Sequence, residues 1–192
     1  MIGAIIVTQV APDELDYVRI DNSLMNAGIS ALDAAERRGL KVVVAESCTG
    51  GLIASVLSEA PGAAGYFEGG FVVYTPDQKR KALGVDANLI ETCGTVSAEV
   101  TKALADGALS RSGADIAIAV TGVAGPDTDE KGNPVGLIYV SGARTGMKTS
   151  CLRRNLGDIG RSAIRRAAAE SALDLLVRLA NEHPNSEGAE TQ

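Results

Sequence analysis

The segment KVVVAESCTGGLIASVL, residues 41–57, decides the architecture of this chain, because it joins an apolar strand to a helix through a glycine-rich turn. Residues 41–45 are predicted as a buried strand and residues 49–59 as a helix. Ser47 follows the strand, so its hydroxyl is expected above a sheet edge, beside N–H groups at the positive end of a helix. Such a corner suits a nucleophile, an anion or both, although an ordinary turn with Ser47 or Thr49 as N-cap explains the same residues equally well.

Strands and helices alternate along the rest of the chain, which is typical of an open α/β sheet. Further strands are predicted over residues 69–74, 115–120, 135–141 and 148–156. Further helices are predicted over residues 23–38, 76–83, 97–112 and 160–181. In such sheets, ligands bind outside the carboxyl ends of parallel strands. We therefore expect the functional site at that edge of the sheet.

Length and composition indicate one domain. At 192 residues with 45% hydrophobic content, the chain is long enough for one well-buried domain and too short for two. Its apolar runs are far below the roughly 20 residues that span a bilayer, and no secretory signal pattern is present. Three cysteines without a CxxC pair fit a reducing compartment. We expect a cytoplasmic protein with free thiols and no membrane partner.

Charge and aromatic content argue against nucleic acid as a partner. The net charge is -6, and no extended run of lysine or arginine is available to neutralise phosphates. Aromatic residues make up 3% of the chain and tryptophan is absent, so the stacking surface of single-strand binders is missing. We therefore expect a small-molecule ligand.

A single histidine limits the available chemistry. His183 follows the last predicted helix in a polar segment, where a solvated side chain is expected. A Ser-His-Asp or Cys-His relay needs a positioned histidine, so acyl transfer here requires another base. Histidine-based zinc sites are disfavoured by the same count, and the motifs group no His, Cys and carboxylate ligands. We predict no metal and no other cofactor.

A second loop, from Thr121 to Pro126, follows a strand as the turn at Ser47 does. Gly122 and Gly125 would let a ligand approach the backbone closely. The loop matches neither of the common phosphate-binding glycine motifs, so its interpretation as a phosphate site is weak and a plain turn remains an alternative.

Two further pairs of residues suit a ligand site. Tyr74 ends a predicted strand, and Lys79 follows it on a short helix, where lysines are usually solvated. Arg161 and Arg165 stand four residues apart on one face of a helix start, against the preference of the helix dipole. A bound anion, such as a substrate phosphate, would explain the two arginines.

Several segments, in this order, resemble the CinA carboxy-terminal domain family over roughly residues 25–180. They are AESCTGG (45–51), PGAAGYFEGGFVVYTPDQKRKALGV (61–85), GTVSAEV (94–100), VTGVAGP (120–126), NPVGLIYV (133–140) and the GD…R..IR pattern of residues 157–165. The resemblance implies a single three-layer α/β/α domain with a mixed, largely parallel sheet. It also implies hydrolysis of the carboxamide of nicotinamide mononucleotide to nicotinate mononucleotide and ammonia, in pyridine-nucleotide salvage.

The resemblance implies roles for particular residues. Ser47 matches the family's serine nucleophile, Lys79 its general-base lysine and Tyr74 an assisting tyrosine. Thr121 matches a substrate-contacting position, and Arg161 matches the arginine that faces the ligand. The complete set of expected substrate-binding residues is Cys48, Thr49, Gly50, Gly51, Thr121, Gly122, Gly125, Arg161 and Arg165.

The residues give this chemistry a physical basis. An amine deprotonates serine only if its pKa falls from about 10.4 toward neutrality, which burial or a neighbouring cation can cause. We therefore predict a desolvated Lys79 near Ser47, with Tyr74 either relaying the proton or holding the lysine. The N–H groups of residues 48–50 are the expected oxyanion donors.

Two neighbours of Ser47 leave alternatives open. A Cys48 thiolate at a helix N-terminus would have a lowered pKa and would rival the serine as nucleophile. The residue after a nucleophile at such a corner, however, usually points into the core. Glu46 is either a turn carboxylate or a partner that orients Lys79.

The sequence departs from the family pattern in two places. Residues 127–133 read DTDEKGN, where the family is usually glycine-rich, and this acidic loop could change how the site closes over a nucleotide. Two residues separate Asp158 from Arg161 where the usual spacing is GDR. Which of Arg161 and Arg165 meets a phosphate therefore stays open.

Two other classes of function fit the same residues. A non-catalytic nucleotide-binding module would bind a ligand without turnover. A Ser-Lys hydrolase acting on another amide or ester would use the same nucleophile and base.

The predicted organisation is a leader over residues 1–24, a stand-alone CinA-like amidase domain over residues 25–181 and a polar tail over residues 182–192. The apolar closing helix could bury a face against a second copy as readily as against its own sheet, so a homo-oligomer is a further expectation.

Overall fold

Five strands form one sheet in the computed structural model, which describes residues 18–183. They are β1 (Val42–Glu46), β2 (Phe67–Val72), β3 (Ile116–Gly122), β4 (Leu137–Arg144) and β5 (Ser150–Asn155), arranged in the order β2-β1-β3-β4-β5. β1 pairs in parallel with β2 and β3, whereas β4 is antiparallel to both β3 and β5. Four strands therefore run in one direction and β4 runs in the other, which confirms a mixed, largely parallel sheet.

Helices cover both faces of this sheet. Within residues 18–183 they are α1 (Asn22–Glu36), α2 (Leu52–Ser58), α3 (Ala63–Tyr66), α4 (Pro76–Leu83), α5 (Ala87–Cys93), α6 (Ala98–Ser110) and α7 (Arg161–Asn181). α1, α2 and α7 pack on one face, and α4, α5 and α6 pack on the other. These layers confirm the three-layer α/β/α architecture.

The central strands β1 and β3 are buried on both faces, as their uninterrupted apolar sequences predict. Side chains of β3 alternate between the two faces. Ile116, Ile118 and Val120 belong to the core on the α1 and α7 side, whereas the alanines between them belong to the core on the α6 side. The same alternation puts the next residue, Thr121, on the α6 side of the sheet.

The starts of α1 and α2 differ from the predictions. α1 begins at Asn22, and its N-cap is Asp21, whose carboxylate accepts a hydrogen bond from the Leu24 amide at 3.0 Å. Leu24 is fully buried, so packing of the domain begins before the predicted boundary at residue 25. α2 begins at Leu52 rather than at Thr49.

Two short helices, α3 and α5, were not predicted. They contain 4 and 7 residues, too few for an apolar periodicity to show in the sequence. The predicted helix over residues 76–83 is confirmed as α4, which ends at Gly84 in the left-handed conformation. β2 lies slightly earlier than predicted, so Val73 and Tyr74 lie beyond its end.

The predicted leader and tail lie largely outside the described residues, since the structure describes neither residues 1–17 nor residues 184–192. His183 is described and is exposed, as predicted. Between residues 18 and 183, every helix is too short or too polar to cross a bilayer.

The carboxyl ends of β1, β2 and β3 meet at one edge of the sheet. Glu46, the last residue of β1, pairs with Val72 of β2 and with Val120 of β3. The residues that follow each strand therefore emerge side by side at this edge.

Candidate active site

The turn after β1 presents Ser47 at the sheet edge and leads the chain into α2. The Gly50 N–H donates a hydrogen bond of 3.1 Å to the Ser47 carbonyl, which closes the turn. Gly50 and Gly51 have φ values of +63° and +94°, in the left-handed region that favours glycine. Neither glycine lines the cleft beside Ser47, and both shape the turn. Their role in binding substrate stays a prediction.

The carboxylate of Glu46 holds the start of α2. One of its oxygens accepts hydrogen bonds from the amides of Gly51 (3.0 Å) and Ile53 (3.2 Å), and the other accepts from Ala54 (2.8 Å). Glu46 is fully buried, where the positive end of the helix stabilises its charge. Of the two roles predicted for Glu46, the structure assigns that of a turn carboxylate, and this cap moves the helix start to Leu52.

Lys79 reaches Ser47 from the first turns of α4. Its Nζ donates to Ser47 Oγ at 2.9 Å and to the Val73 carbonyl at 2.7 Å, and lies 3.5 Å from the Tyr74 carbonyl. The N-cap Thr75 anchors the helix that carries it. Lys79 is only 1% exposed, so fixed protein groups replace its water shell. The predicted proximity of a desolvated Lys79 to Ser47 is confirmed.

Burial lowers the pKa of Lys79 from 10.5 to about 8, because the ammonium loses its hydration in the interior. The negative charges of Cys48, when ionised, and of Glu130 act in the opposite direction. A pKa of about 8 leaves part of the amine neutral near neutral pH, as a general base requires.

Cys48 lines the cleft, but its side chain is buried in the core. The residue is 6% exposed and belongs to the core on the α1 and α7 side of the sheet. Burial raises the pKa of its thiol from 9.0 to about 12. A protonated, buried thiol is a poor nucleophile, so the structure favours Ser47 over Cys48 for that role.

The predicted oxyanion donors are the amides that follow Ser47. The Gly50 amide donates to the Ser47 carbonyl, and the Gly51 amide donates to the capping carboxylate. The Cys48 amide approaches its own thiol, and Cys48 lines the cleft. The Gly50 amide is thus already engaged, and the oxyanion role stays a prediction for the amides of Cys48 and Thr49.

Tyr74 and Arg161 contact each other where they line the cleft. Arg161 Nη2 donates to the Tyr74 hydroxyl at 3.5 Å, and Nη1 donates to the Gly125 carbonyl at 2.7 Å. Tyr74 is 59% exposed, and only its carbonyl faces Lys79. The Tyr74 hydroxyl contacts Arg161 rather than Lys79, so a proton relay through this hydroxyl does not fit the structure. The alternative, that Tyr74 holds the lysine, fits through its backbone carbonyl.

Arg165 lies four residues beyond Arg161 on α7 and does not line the cleft. Its Nη2 donates to the Thr49 carbonyl at 2.8 Å, and a Cβ added to Gly50 would lie 3.4 Å from the same nitrogen. Arg161 therefore lines the cleft, whereas Arg165 contacts the backbone of the turn that carries Ser47. Which of the two meets a phosphate stays a prediction.

Thr121 does not contact the cleft. Thr121 is fully buried, and its hydroxyl oxygen lies 2.7 Å from the hydroxyl oxygen of Thr101 on α6. Thr101 donates its own proton to the Ser97 carbonyl at 2.6 Å, so Thr121 is the donor between the two threonines. The predicted substrate contact of Thr121 is wrong, because its side chain still follows the alternation of β3.

The two glycines of the second loop line the cleft for different reasons. A Cβ at Gly122 would lie 2.7 Å from Ile138 Cγ2 and 3.2 Å from Cys48 Sγ, so packing excludes any side chain there. Gly125 has φ +85° and supplies the carbonyl that binds Arg161.

The cleft beside Ser47 and Lys79 has a volume of about 270 Å³. Part of its lining was not proposed from the sequence, namely Thr95, Val96, Val123, Ala124, Asp127, Thr128, Asp129 and Glu130. The GTVSAEV segment and the acidic loop were the two signals that could have pointed to these residues. Among residues 18–183, no three His, Cys, Asp or Glu side chains are grouped as metal ligands.

Comparison with known families gives one match that covers most of the chain. The family model described as the CinA C-terminal domain matches residues 26–180. A CinA-like protein of Acidobacterium capsulatum is 45% identical over 166 residues, which are 86% of this chain and 40% of that protein. A CinA-like protein of Synechocystis sp. is 41% identical over 165 residues, 85% of this chain and 39% of that protein. The chain thus spans about two fifths of the length of these relatives.

Solved structures share the fold over nearly their full length. The competence/damage inducible protein CihA from Agrobacterium tumefaciens matches with a TM-score of 0.80 and 38% identity, covering 85% of this chain and 99% of that chain. A competence-damaged protein (CinA) superfamily protein from Escherichia coli matches with a TM-score of 0.78 and 29% identity, covering 85% and 95%. Neither name states a reaction.

Proposed function

The chain belongs to the CinA C-terminal domain family, and from that premise we propose that it is an amidohydrolase that deamidates nicotinamide mononucleotide. The products are nicotinate mononucleotide and ammonia, as in pyridine-nucleotide salvage. One observation carries the proposal: the Nζ of Lys79, a buried lysine, lies 2.9 Å from the Oγ of Ser47. A serine hydroxyl needs an adjacent base to act as a nucleophile, and no histidine lies in this cleft.

The first half of the reaction forms an acyl-enzyme. Neutral Lys79 accepts the proton of the Ser47 hydroxyl while Oγ attacks the carboxamide carbon. The amides of Cys48 and Thr49 donate to the oxyanion of the tetrahedral intermediate. As the intermediate collapses, the Lys79 ammonium gives its proton to the departing nitrogen, the C–N bond breaks and ammonia leaves.

The second half of the reaction releases the acid. A water molecule attacks the ester carbon on Ser47, and neutral Lys79 accepts the proton of that water. The C–O bond to Oγ then breaks, and the Lys79 ammonium returns a proton to the serine. The sum is amide plus water to acid plus ammonia, and the side chains return to their starting states.

The cleft offers one group suited to the phosphate of the nucleotide. Arg161 is an exposed guanidinium on the cleft wall, where its two terminal nitrogens contact the Gly125 carbonyl and the Tyr74 hydroxyl. A phosphate is a stronger acceptor than either group and suits a guanidinium fork. We therefore assign phosphate binding to Arg161 in this proposal.

Ammonia release from nicotinamide mononucleotide by the purified chain, without added metal, tests the proposal. We expect turnover by the wild type, and a loss of about 10³-fold or more in kcat for Ser47→Ala and for Lys79→Ala, because nucleophile and base act as a unit. Lys81→Ala is the matched control, since Lys81 lies on the same helix with an exposed side chain and pairs only with Asp77. This control should keep its activity.

The same assay separates the two other classes of function. Nucleotide binding without ammonia release by a folded wild type would contradict the amidase and favour a non-catalytic binding module. Turnover of another amide or ester in place of the nucleotide, still abolished by Ser47→Ala, would keep the Ser-Lys chemistry and reject the substrate.

A further inference from the structure

The cleft beside Ser47 carries more negative than positive side chains. Three carboxylates line it together with two cationic groups, and the five residues are Asp127, Asp129, Glu130, Lys79 and Arg161. Lys79 must be neutral to act as a base, so Arg161 is the lasting positive charge in the reactive state. An electrostatic environment of this kind favours a ligand group that is itself cationic near the carboxylates.

Glu130 is the carboxylate that the structure holds near the catalytic pair. Its Oε1 accepts hydrogen bonds from the Thr95 hydroxyl at 2.8 Å and from the Thr95 amide at 3.4 Å. Hydrogen bonds from its own amide and from Thr95 lower the pKa of Glu130, so it is an anion at neutral pH. Its charge acts on Lys79, since it raises the pKa of that amine against the effect of burial.

The loop that carries Glu130 is tied to the segment before α6. Lys131 Nζ donates to the Glu91 carbonyl at 2.9 Å, and Asn133 Nδ2 donates to the Val96 carbonyl at 3.2 Å. With the bonds to Thr95, three successive contacts join the two segments. They keep the Glu130 carboxylate in one place on the cleft wall.

The other two carboxylates are less suited to recognise a ligand. The oxygens of Asp129 accept from the amides of Lys131 (3.0 Å) and Asn133 (2.8 Å) and from the Asn133 side chain (2.8 Å), so this side chain serves its own loop. Asp127 is exposed. Glu130 alone combines a fixed position with an electrostatic effect on Lys79.

We propose that Glu130 determines specificity by selecting a carboxamide that is attached to a cationic ring. The inference rests on the proposed function, in which the substrate amide belongs to a pyridinium ring. With the amide carbon at Ser47 Oγ, the attached ring lies in the remainder of the cleft, whose wall includes Glu130. The carboxylate stabilises the positive ring there, whereas a neutral ring of the same shape gains nothing from it.

The arrangement of charges in the cleft then matches a zwitterion. Glu130 meets the cationic ring near Lys79, and Arg161 meets the anionic phosphate. This layout gives the acidic loop, residues 127–133, a role that its sequence alone did not reveal.

Calorimetric titration of the unreactive Ser47→Ala chain tests the inference. The probes are nicotinamide mononucleotide and the neutral benzamide C-nucleotide, which keeps the carboxamide, ribose and phosphate on an uncharged ring. We expect Glu130→Gln, added to Ser47→Ala, to weaken binding of the cationic nucleotide about fivefold and of the neutral one by less than about twofold, since an accessible charge pair contributes up to about a factor of five. Glu59→Gln, an exposed carboxylate outside the cleft, is the control and should change neither.

Each outcome decides the inference. Equal losses for both nucleotides, or no loss for either, would overturn charge selection by Glu130. Thr95→Val removes the hydroxyl that holds the carboxylate, and it should reproduce the selective loss at smaller size. If the wild type releases ammonia but Glu130→Gln weakens both nucleotides equally, the amidase proposal stands and charge selection by Glu130 falls. If Glu130→Gln weakens only the cationic nucleotide but the wild type releases no ammonia, charge selection stands and the amidase proposal falls. Failure of both nucleotides to bind overturns both.

Discussion

The loops after β1 and β3 follow neighbouring strands at the same sheet edge, but only the first carries reactive groups. The loop after β1 places the Ser47 hydroxyl 2.9 Å from the Lys79 ammonium nitrogen and brings Cys48 to the cleft. Near the end of β3, the Thr121 hydroxyl is buried against α6. The loop that follows contributes backbone, small side chains and the carboxylates of residues 127, 129 and 130 to the cleft wall.

The difference comes from where each strand ends. β1 ends at Glu46, so Ser47 has left the pleat and its side chain is free to turn toward α4. β3 continues through Gly122, so Thr121 still follows the alternation of a strand and points to one helical layer. In this sheet, the polar residue beyond the end of its strand lines the cleft, and the one still inside its strand is buried.

Ser47→Ala gives the largest expected effect of the comparison. Ammonia release should fall about 10³-fold or more, while the free energy of unfolding changes by less than about 0.5 kcal/mol, because a partly exposed hydroxyl adds little to packing. Urea denaturation followed by circular dichroism measures the second quantity. A loss of stability as large as that of a core substitution would show that Ser47 is a structural residue.

Arg165 contacts the loop after β1 and Arg161 contacts the loop after β3, so variants of the two arginines test the two loops separately. Arg165→Ala frees the Thr49 carbonyl and loosens the nucleophile turn, and we expect kcat to fall about tenfold with KM nearly constant. Arg161→Ala removes the cation beside Gly125, and we expect KM to rise about tenfold with kcat nearly constant. Steady-state kinetics measures both. The opposite assignment of kcat and KM effects would contradict the roles given to the two residues.

Thr121→Val should lower stability and leave activity nearly unchanged, which is the opposite of the result expected for Ser47→Ala. It deletes the hydrogen bond to Thr101 in a fully buried position and should cost about 1–2 kcal/mol of unfolding free energy. Turnover should change by less than about threefold, because the hydroxyl does not face the cleft. Thr92→Val, at an exposed position of α5, is the control and should leave stability nearly unchanged. A loss of activity at Thr121 comparable to that of Ser47→Ala would break the comparison.

Cys48→Ala gives the smallest expected effect within the first loop. Its thiol is buried with a pKa of about 12, so the variant should keep ammonia release within about twofold. Native-state labelling with iodoacetamide should modify Cys93, which is partly exposed, much faster than Cys48. Rapid labelling of Cys48 with loss of activity would return it to the list of nucleophiles.

Much of the fold and the central pair of the site were predictable from sequence. Apolar runs marked β1 and β3, and a proline start and a glycine end marked α4. The absence of a usable histidine called for another base, which the resemblance to the CinA family assigned to Lys79. The role of Glu46 was not predictable, because capping α2 and orienting Lys79 both require a buried carboxylate at this position. The two roles differ only in whether the carboxylate lies nearer to the α2 amides or to Lys79, which the sequence does not show. The error at Thr121 was avoidable, because residues 117, 119 and 121 share one face of a strand.

The roles of Arg161 and Arg165 show a different limit. Their spacing places both on one side of α7, but the acceptor that each finds, Gly125 or Thr49, lies more than thirty residues away in the chain. Contacts of this kind depend on how the closing helix crosses the sheet edge, which local patterns do not encode.

The pH dependence of kcat/KM for ammonia release from nicotinamide mononucleotide tests the central claim most directly, because Lys79 must lose its proton to act. Burial lowers the pKa of Lys79 to about 8, so we predict that kcat/KM rises with pH below that value and levels off above it. A profile that is flat across this range, or whose midpoint lies near the ordinary lysine value of 10.5, would contradict a buried Lys79 as the base that activates Ser47.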